Sequence, residues 1–325
     1  MLPAYNDVKH AISSSFDQLE DLRRRLIASR KKLRFALLGI AALNIFCYLY
    51  APNYVPPAFA AMIIMIIVYV VRRKRAVAQF RAAYKSRIVA PLTQRMAECE
   101  YDPAARVGDE YVHRSQLFPF RISSIQGEDL FVGKLGLTHF QFSELKLIQE
   151  QASSDDGSTH KSIMFQGVLF VADFHKHFEG VTVLTGNWSS RNSRAGKVMT
   201  KVSKLLLERK SRTEDRVIKL ENEAFNDAFE VRTSHDVEAR YILSSNMMER
   251  LLDFKNRGQG RYAPIRISFV DSCMFVSIWN SKDQFEVNLN REINDKAAEE
   301  IYRELSFYFG LIEDFDLNTR IWSKA

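Results

Sequence analysis

A short segment in the middle of the chain contains the residue types that bind transition metals. Its four candidate ligands alternate with other residues: Asp173, His175, His177 and Glu179. In an extended strand these side chains would project to one side and offer carboxylate and imidazole ligands to an ion such as Zn²⁺. The alternative is an exposed strand end or turn in which Phe174 and Phe178 pack inward. We predict no resident metal and no cofactor, and any metal hypothesis rests on the two histidines.

A glycine-containing segment, Gly127 to Leu135, resembles a phosphate-binding loop only superficially. Such a loop needs four residues between its glycines and a Ser or Thr after its Lys, whereas five residues separate these glycines and Leu135 follows Lys134. We interpret the segment as a turn followed by a strand. The sequence also has no G-x-S-x-G, H-E-x-x-H, EF-hand or G-x-G-x-x-G motif. The familiar catalytic frameworks are therefore absent.

The basic residues are concentrated in two short windows. The chain has 325 residues and a formal net charge of +7, and residues 21–34 and 72–87 each hold seven Lys or Arg, opposed only by Asp21. Elsewhere acidic residues outnumber basic ones by six. A nucleic-acid partner is not expected, because such a site needs basic residues interleaved with aromatic ones across one surface, and the chain outside the two windows is acidic. The three widely spaced cysteines indicate a reducing compartment without disulfides.

Between the two windows, Phe35 to Val71 contains no Asp, Glu, Lys, Arg or His. Prolines divide this stretch into arms over residues 35–50 and 55–71, which predicts a transmembrane helical hairpin. The basic flanks predict that both termini of this multi-pass protein face the cytoplasm, and the family resemblance given below implies a bacterial inner membrane. A monotopic hairpin and a helix pair buried in a soluble core are the alternatives, since each arm is short for a bilayer.

The basic residues beside the arms are predicted to face anionic lipid head groups. They are Arg23, Arg24, Arg25, Arg30, Lys31, Lys32, Arg34, Arg72, Arg73, Lys74 and Arg75. Membrane lipids are therefore expected partners, together with a protein partner or a second copy of the chain.

The spacing of apolar residues predicts helices that contain these basic residues. A domain of a different class is predicted to follow them. Apolar residues at spacings of three, four or seven predict an amphipathic helix over residues 1–34 and a basic helical stalk over 72–100, interrupted at Pro91. Residues 101–325 are predicted to form a cytoplasmic α+β domain with a mixed, mostly antiparallel sheet, packed helices and a seam near 208–215. Helices are predicted over 197–210, 236–254 and 294–309. Runs rich in aromatic and β-branched residues predict strands over 129–134, 137–142, 163–172, 181–184, 217–220, 229–232, 265–270 and 274–279.

The order of several short motifs resembles a bacterial two-helix membrane protein family, domain of unknown function 3137. The motifs are Glu100-Tyr101-Asp102-Pro103, Gly127-Glu128-Asp129, Phe142-Ser143-Glu144-Leu145, the run from Phe165 to Phe174, Phe229-Glu230-Val231, the run from Asp236 to Leu243, and Met248-Glu249-Arg250-Leu251. The resemblance implies no activity. It points to Asp173, Phe174, Glu238, Arg240 and Tyr241, with either structural roles or a ligand site. The family pattern usually has Asn at position 175, which counts against a metal.

Two functions from different classes follow. The first is a non-catalytic, membrane-tethered interaction or sensing module, which needs no catalytic motif. The alternative is a membrane-associated enzyme, such as a hydrolase with a non-standard site. The structural roles expected for the matched residues are a helix capped by Ser234 and a buried pair between Arg240 and a carboxylate.

Overall fold

The computed structural model describes residues 2–50, 55–152, 159–174, 176–186, 216–258, 265–280 and 284–317. The chain divides into two compact units, which we call the helical unit (Pro3–Arg95 and Phe285–Arg303) and the sheet unit (Met1–Leu2, Met96–Gln284 and Glu304–Ala325). Three predictions fall outside the described residues: the ligand at His175, the helix over 197–210 and the seam over 208–215.

Two long helices dominate the helical unit. Helix α2 spans Phe16–Tyr50 and α3 spans Val55–Tyr84, so they are about 52 and 45 Å long at 1.5 Å per residue. They run antiparallel, because Arg87 Nη1 beyond the end of α3 donates to Gln18 Oε1 near the start of α2, at 2.8 Å. Both helices continue without a break through residues 34 and 71. The remaining helical elements are α1 (Tyr5–Val8), 3₁₀ turns at Lys9–Ala11 and Ser13–Ser15, and α4 (Ala90–Met96).

A π-turn at Lys85–Val89 joins α3 to α4. Pro91 accounts for it, because proline has no N–H to donate and its ring collides with the carbonyl four residues earlier. A wider turn accommodates both effects. The interruption predicted at Pro91 is confirmed, and the chain remains helical on both sides of it.

The predicted transmembrane hairpin is wrong. The described part of the chain contains no helix that is both long and apolar enough to cross a bilayer. The uncharged part of α2 is 16 residues long, from Phe35 to Tyr50, and that of α3 is 17, from Val55 to Val71. At 1.5 Å per residue each covers about 24–26 Å, less than the hydrocarbon thickness of about 30 Å.

The base of the helical unit has its own apolar core. Its buried side chains come from the predicted three-, four- and seven-residue spacings, with Val8 and Ile12 before α2, Leu19 in α2, Phe80 in α3 and Ile88 in the π-turn. Ile293, Ala298 and Ile301 of the returning segment 285–303 are also buried. The helical unit is therefore built from two segments that are distant in sequence.

The sheet unit contains a nine-stranded sheet with the order β1-β2-β3-β4-β9-β8-β5-β7-β6. All pairings between the described strands are antiparallel. The α+β class is thus confirmed, while the expected mixture with parallel strands is not found among them. The strands are β1 (Glu98–Asp102), β2 (Ser124–Leu135), β3 (Thr138–Ala152), β4 (Thr159–Asp173), β5 (Thr182–Gly186), β6 (Arg216–Ile218), β7 (Phe229–Thr233), β8 (Ile265–Val270) and β9 (Cys273–Trp279).

Apolar side chains cover both faces of this sheet. One face packs against the segment 107–122, which includes α5 (Asp109–Arg114), through buried residues such as Leu169 and Phe275. On the other face aromatic rings stack, with Phe131 and Phe142 centroids 4.4 Å apart and Tyr308 of α9 5.1 Å from Phe142. The other helices are α6 (Glu223–Ala228), α7 (Asp236–Ile242), α8 (Ser245–Gly258) and α9 (Asp295–Asp314).

Candidate functional site

The two basic windows come to the same level of the hairpin. The bond between Gln18 and Arg87 sets the register of α2 against α3. Twelve residues further along each helix, Arg30 and Arg75 lie about 18 Å from that bond, and the rest of each cluster follows within about one turn. We call these positions the basic collar: Arg30, Lys31, Lys32 and Arg34 in α2, and Arg72, Arg73, Lys74 and Arg75 in α3. Side chains are described for the α3 members, of which Arg72, Lys74 and Arg75 are exposed.

Beyond the collar, the hairpin exposes large apolar side chains. We call Phe35–Tyr50 and Val55–Val71 the uncharged end. Soluble monomers rarely present a contiguous apolar surface of this kind, and where they do it marks a protein or membrane interaction site. Its most exposed large hydrophobic side chains among those described are Phe35 (74%), Leu38 (67%), Ile45 (63%), Phe46 (57%), Tyr48 (72%), Leu49 (63%), Phe59 (53%), Ile64 (61%) and Ile67 (56%).

Below the collar, the hairpin base contains a buried ion pair. Glu20 accepts hydrogen bonds from Arg23 Nε and Nη2 at 2.7 and 2.6 Å, from Arg24 Nε at 2.9 Å and from the Ile293 backbone at 3.0 Å. Arg23 also donates to the Leu289 carbonyl at 3.1 Å and is 7% exposed. The expectation that Arg23 faces lipid head groups therefore does not hold, while Arg24 and Arg25 are exposed.

The pKa values of this pair follow from its geometry. The hydrogen bond from Arg23 is the largest cause that lowers the pKa of the Glu20 carboxyl from 4.5 to about 2, against a desolvation cost that raises it. The same hydrogen bond raises the pKa of Arg23. Both groups remain charged in a nearly closed environment. Sequence analysis missed Glu20, although its spacing of three and four residues from two arginines on a helix is a recognisable signal.

A second carboxylate, Glu286 of the returning segment, likewise pairs with two cations, Arg81 of α3 and Lys85 of the π-turn. Glu286 lies 3.2 Å from Lys85 Nζ and 3.2 Å from Arg81 Nε. The Lys85 side chain is 6% exposed, whereas that of Arg81 is 48% exposed. Nothing in the sequence links Glu286 to residues two hundred positions earlier, so this pair could not be predicted.

In the sheet unit, the residues that follow β4 fold into a loop against α7. Glu238 of α7 accepts from the backbone N–H groups of Glu179 (3.2 Å) and Gly180 (2.7 Å). A Cβ atom at Gly180 would lie 2.6 Å from Glu238 Oε2, so a side chain there would displace the Glu238 carboxylate. Ser234 does not cap α7 as expected. Its hydroxyl accepts from the Val181 N–H at 2.9 Å, and His235 is the N-cap residue.

Lys176 and Tyr241 form a second contact between this loop and α7. Lys176 Nζ lies 4.4 Å from the Tyr241 ring centroid and donates to the Tyr241 carbonyl at 2.8 Å. Burial lowers the pKa of the Lys176 ammonium group. The Tyr241 side of the contact stays partly open, with the residue 45% exposed.

Residues 163–317 match the model of a family described as protein of unknown function, DUF3137. One solved structure similar to the chain is the "crystal structure of the mycobacterial trehalose monomycolate transport factor A, TtfA", with 8% identity over 66% of this chain and 88% of that chain, at a TM-score of 0.30. No inference is drawn from a similarity at that level. No curated protein matches the chain.

The matched region, residues 163–317, brings most of the residues singled out by the resemblance into one neighbourhood. Asp173 ends β4 and is exposed, and Phe174 is buried against Phe178 and Phe269. Glu238 and Tyr241 contact the loop that begins there.

Arg240 pairs with carboxylates, but not in the interior. Its Nη1 lies 2.5 Å from Glu221 Oε1, its Nε lies 3.1 Å from Asp236 Oδ1, and its Nη2 donates to the Lys219 carbonyl at 3.0 Å. The Arg240 side chain is 40% exposed. The burial expected for this pair is therefore wrong.

The metal hypothesis required an extended strand that places its candidate ligands on one face. The described residues after Asp173 do not form such a strand. The strand ends at Asp173, and the following residues form the loop against α7, so the alternation of side chains on one face stops there. His177 Nδ1 lies 3.3 Å from Ser272 Oγ. Phe174 and Phe178 are buried, as in the turn that we considered as the alternative.

A different set of carboxylates meets on β2 and β3. The carboxylate oxygens of Glu128, Asp129 and Glu144 lie within 4.8 Å of one another. Asp129 is fully buried at a bulge with φ of +60° and accepts a hydrogen bond from the Tyr101 hydroxyl. Carboxylate oxygens suit Ca²⁺ or Mg²⁺. All three have interaction partners within the protein, and we assign no ion to them.

Proposed function

We propose that the helical unit binds an anionic lipid surface. In this proposal the uncharged end of the hairpin is buried among the lipids and the basic collar lies at the level of the head groups. The sheet unit then acts as an interaction or sensing module held at that surface. The observation that carries the proposal is the direct succession of exposed apolar side chains and exposed cations along one hairpin.

Both the burial of apolar side chains and the attraction of the cations to anionic head groups favour binding to a lipid surface. Burying a large apolar side chain is worth roughly 1.5–3 kcal/mol, and the side chains of the uncharged end are about half to three-quarters exposed. Each Lys or Arg near an anionic surface adds about 1 kcal/mol. The two contributions act together, since the apolar residues end where the collar begins.

A second copy of the chain is a less suitable occupant of the uncharged end. Residues 72–87 contain no Asp or Glu, and Asp21 is the one acidic residue in 21–34. Pairing two hairpins side by side would therefore bring two collars of like charge together. Anionic head groups instead supply the opposite charge.

The proposed surface is the cytoplasmic face of a bacterial inner membrane. An antiparallel hairpin leaves both of its flanks on the same side, and basic flanks favour the cytoplasmic side. Holding the sheet unit there would raise its concentration near partners at the same membrane.

Vesicle binding by the full-length chain tests the proposal. We expect binding to phosphatidylcholine vesicles that contain phosphatidylglycerol, and weaker binding without it. The triple variant Ile45→Ser, Phe46→Ser and Phe59→Ser should bind at least about a hundredfold more weakly, since each side chain contributes about 1–2 kcal/mol.

The matched control replaces three exposed apolar residues of the sheet unit: Ile163→Ser, Val217→Ser and Val237→Ser. These side chains are 52%, 53% and 83% exposed, and their loss should leave vesicle binding unchanged. Equal binding by the hairpin variant and the wild type would contradict the proposal. Oligomers that form without lipid and dissociate in the hairpin variant would identify a second copy as the occupant instead.

A further inference from the structure

Two exposed arginines lie at a common level between the hairpin base and the collar. Arg24 is six residues from Gln18 along α2, and Arg81 is six residues from Arg87 along α3. Since Gln18 and Arg87 are hydrogen-bonded, both arginines lie about 9 Å from that bond and about 9 Å below the level of Arg30 and Arg75.

Each of these arginines shares its carboxylate with a second, buried cation. Glu20 pairs with Arg24 and with Arg23, whose side chains are 67% and 8% exposed. Glu286 pairs with Arg81 and with Lys85, at 48% and 6%. Both carboxylates are themselves 11% exposed. The two sites are thus built alike, with one cation inside and one at the surface.

The exposed cation is the one that can exchange partners. Each carboxylate balances the charge of its buried cation, so the exposed arginine adds a positive charge that is not compensated within the pair. An exposed ion pair contributes about 0–1 kcal/mol, close to the gain of about 1 kcal/mol for an arginine near an anionic surface. Leaving the carboxylate for a phosphate group therefore costs little, whereas removing Arg23 or Lys85 would strand a buried charge.

We infer that Arg24 and Arg81 form a second level of cations that bind the head groups of anionic lipids. The inference rests on the proposed function and adds to it the residues that set its preference for anionic lipid. The polar layer on each side of a bilayer is roughly 5–8 Å thick. Long arginine side chains extend toward it from the level below the collar.

The double variant Arg24→Gln and Arg81→Gln tests this in the full-length chain. We expect it to bind phosphatidylglycerol-containing vesicles about fivefold more weakly, from a factor of about two for each arginine, because the ion pair that each arginine leaves offsets about half of its gain at the lipid surface. Binding to pure phosphatidylcholine vesicles should not change. The variant Arg24→Lys and Arg81→Lys, which keeps both charges, should bind as the wild type does.

A control removes an exposed arginine of the same unit at another place. Arg291 pairs with Glu300 at 3.3 Å and its side chain is 68% exposed, so Arg291→Gln should bind normally. If the wild type binds and the glutamine variant binds equally well, this inference fails while the proposed function stands. If the lysine variant loses as much affinity as the glutamine variant, a structural role replaces the inferred one. If the wild type does not bind, both fail.

Discussion

Replacing Glu20 by Gln removes the negative charge around which the hairpin base is built. Glutamine has nearly the same volume and keeps one acceptor oxygen, but it leaves Arg23, 7% exposed, without its counter-charge. Removing one partner of a buried pair costs about 3–5 kcal/mol. The shift of the Glu20 pKa from 4.5 to about 2 gives a similar value, about 3 kcal/mol. We therefore expect the free energy of unfolding of the helical unit to fall by about 3 kcal/mol.

Urea unfolding combined with hydrogen exchange measures this loss and locates it. In the Glu20→Gln variant, peptides from the start of α2 and from residues 285–303 should exchange faster, while peptides from β3 and β4 should not change. The matched control is Glu300→Gln, which breaks the exposed pair with Arg291 and should cost about 0.5 kcal/mol or less.

The pH dependence provides a second measurement. Because the pKa of Glu20 is lower in the folded protein than in the unfolded chain, its stabilisation is complete above pH 4.5 and is lost as the pH falls from there toward 2. The variant should lack this part of the acid sensitivity. A variant as stable as the wild type, or one with the same loss of stability between pH 4.5 and 2, would refute the reasoning.

Four further outcomes are expected from thermal or urea melts. Gly167→Ala should destabilise the sheet unit by several kcal/mol, because Gly167 has φ of +155° and a Cβ atom would lie 2.0 Å from the Ile278 carbonyl oxygen. Gly39→Ala in α2, where no atom lies within 4 Å of the added Cβ, should instead be neutral or stabilising by up to about 1 kcal/mol. Arg240→Ala should cost only about 1 kcal/mol, and a loss above about 3 kcal/mol would show that its pairs act as buried ones. Phe174→Ala, at a residue 5% exposed, should cost about 3–5 kcal/mol, and a loss below 1 kcal/mol would contradict its place in the aromatic cluster.

Local patterns predicted the secondary structure where one physical signal dominates. The run from Ile163 to Ala172, which is apolar except at Gln166 and Gly167, lies within β4, and all eight predicted strands lie in or overlap observed ones. Strand β1 was missed, since its sequence Glu-Cys-Glu-Tyr-Asp has few apolar residues and follows a helical pattern. The predicted helix over 236–254 is divided into α7 and α8 near Leu243.

The candidate site depended on contacts that sequence spacing does not contain. Charge counting identified the basic windows but could not tell that Arg23 faces inward, because the Leu289 carbonyl and Ile293 N–H that close its environment come from a distant segment. Alternation suggested a strand from Asp173 to Glu179, whereas Glu238 binds the backbone there from 58 residues away. The absence of charge from 35 to 71 was visible in the sequence, yet the length of each arm decided against a span.

The register of the hairpin also constrains how the lengths of its two arms can vary. One residue inserted in α2 between Gln18 and Arg30 would shift every later position of that helix by about 1.5 Å and rotate it by about 100° relative to α3. The two halves of the collar would then separate, unless α3 gained a residue at the matching level. Insertions or deletions between Tyr50 and Val55 would leave the collar, and the level of Arg24 and Arg81 below it, unchanged. Insertions and deletions in this protein should therefore be tolerated in matched pairs along the hairpin and singly at its far end.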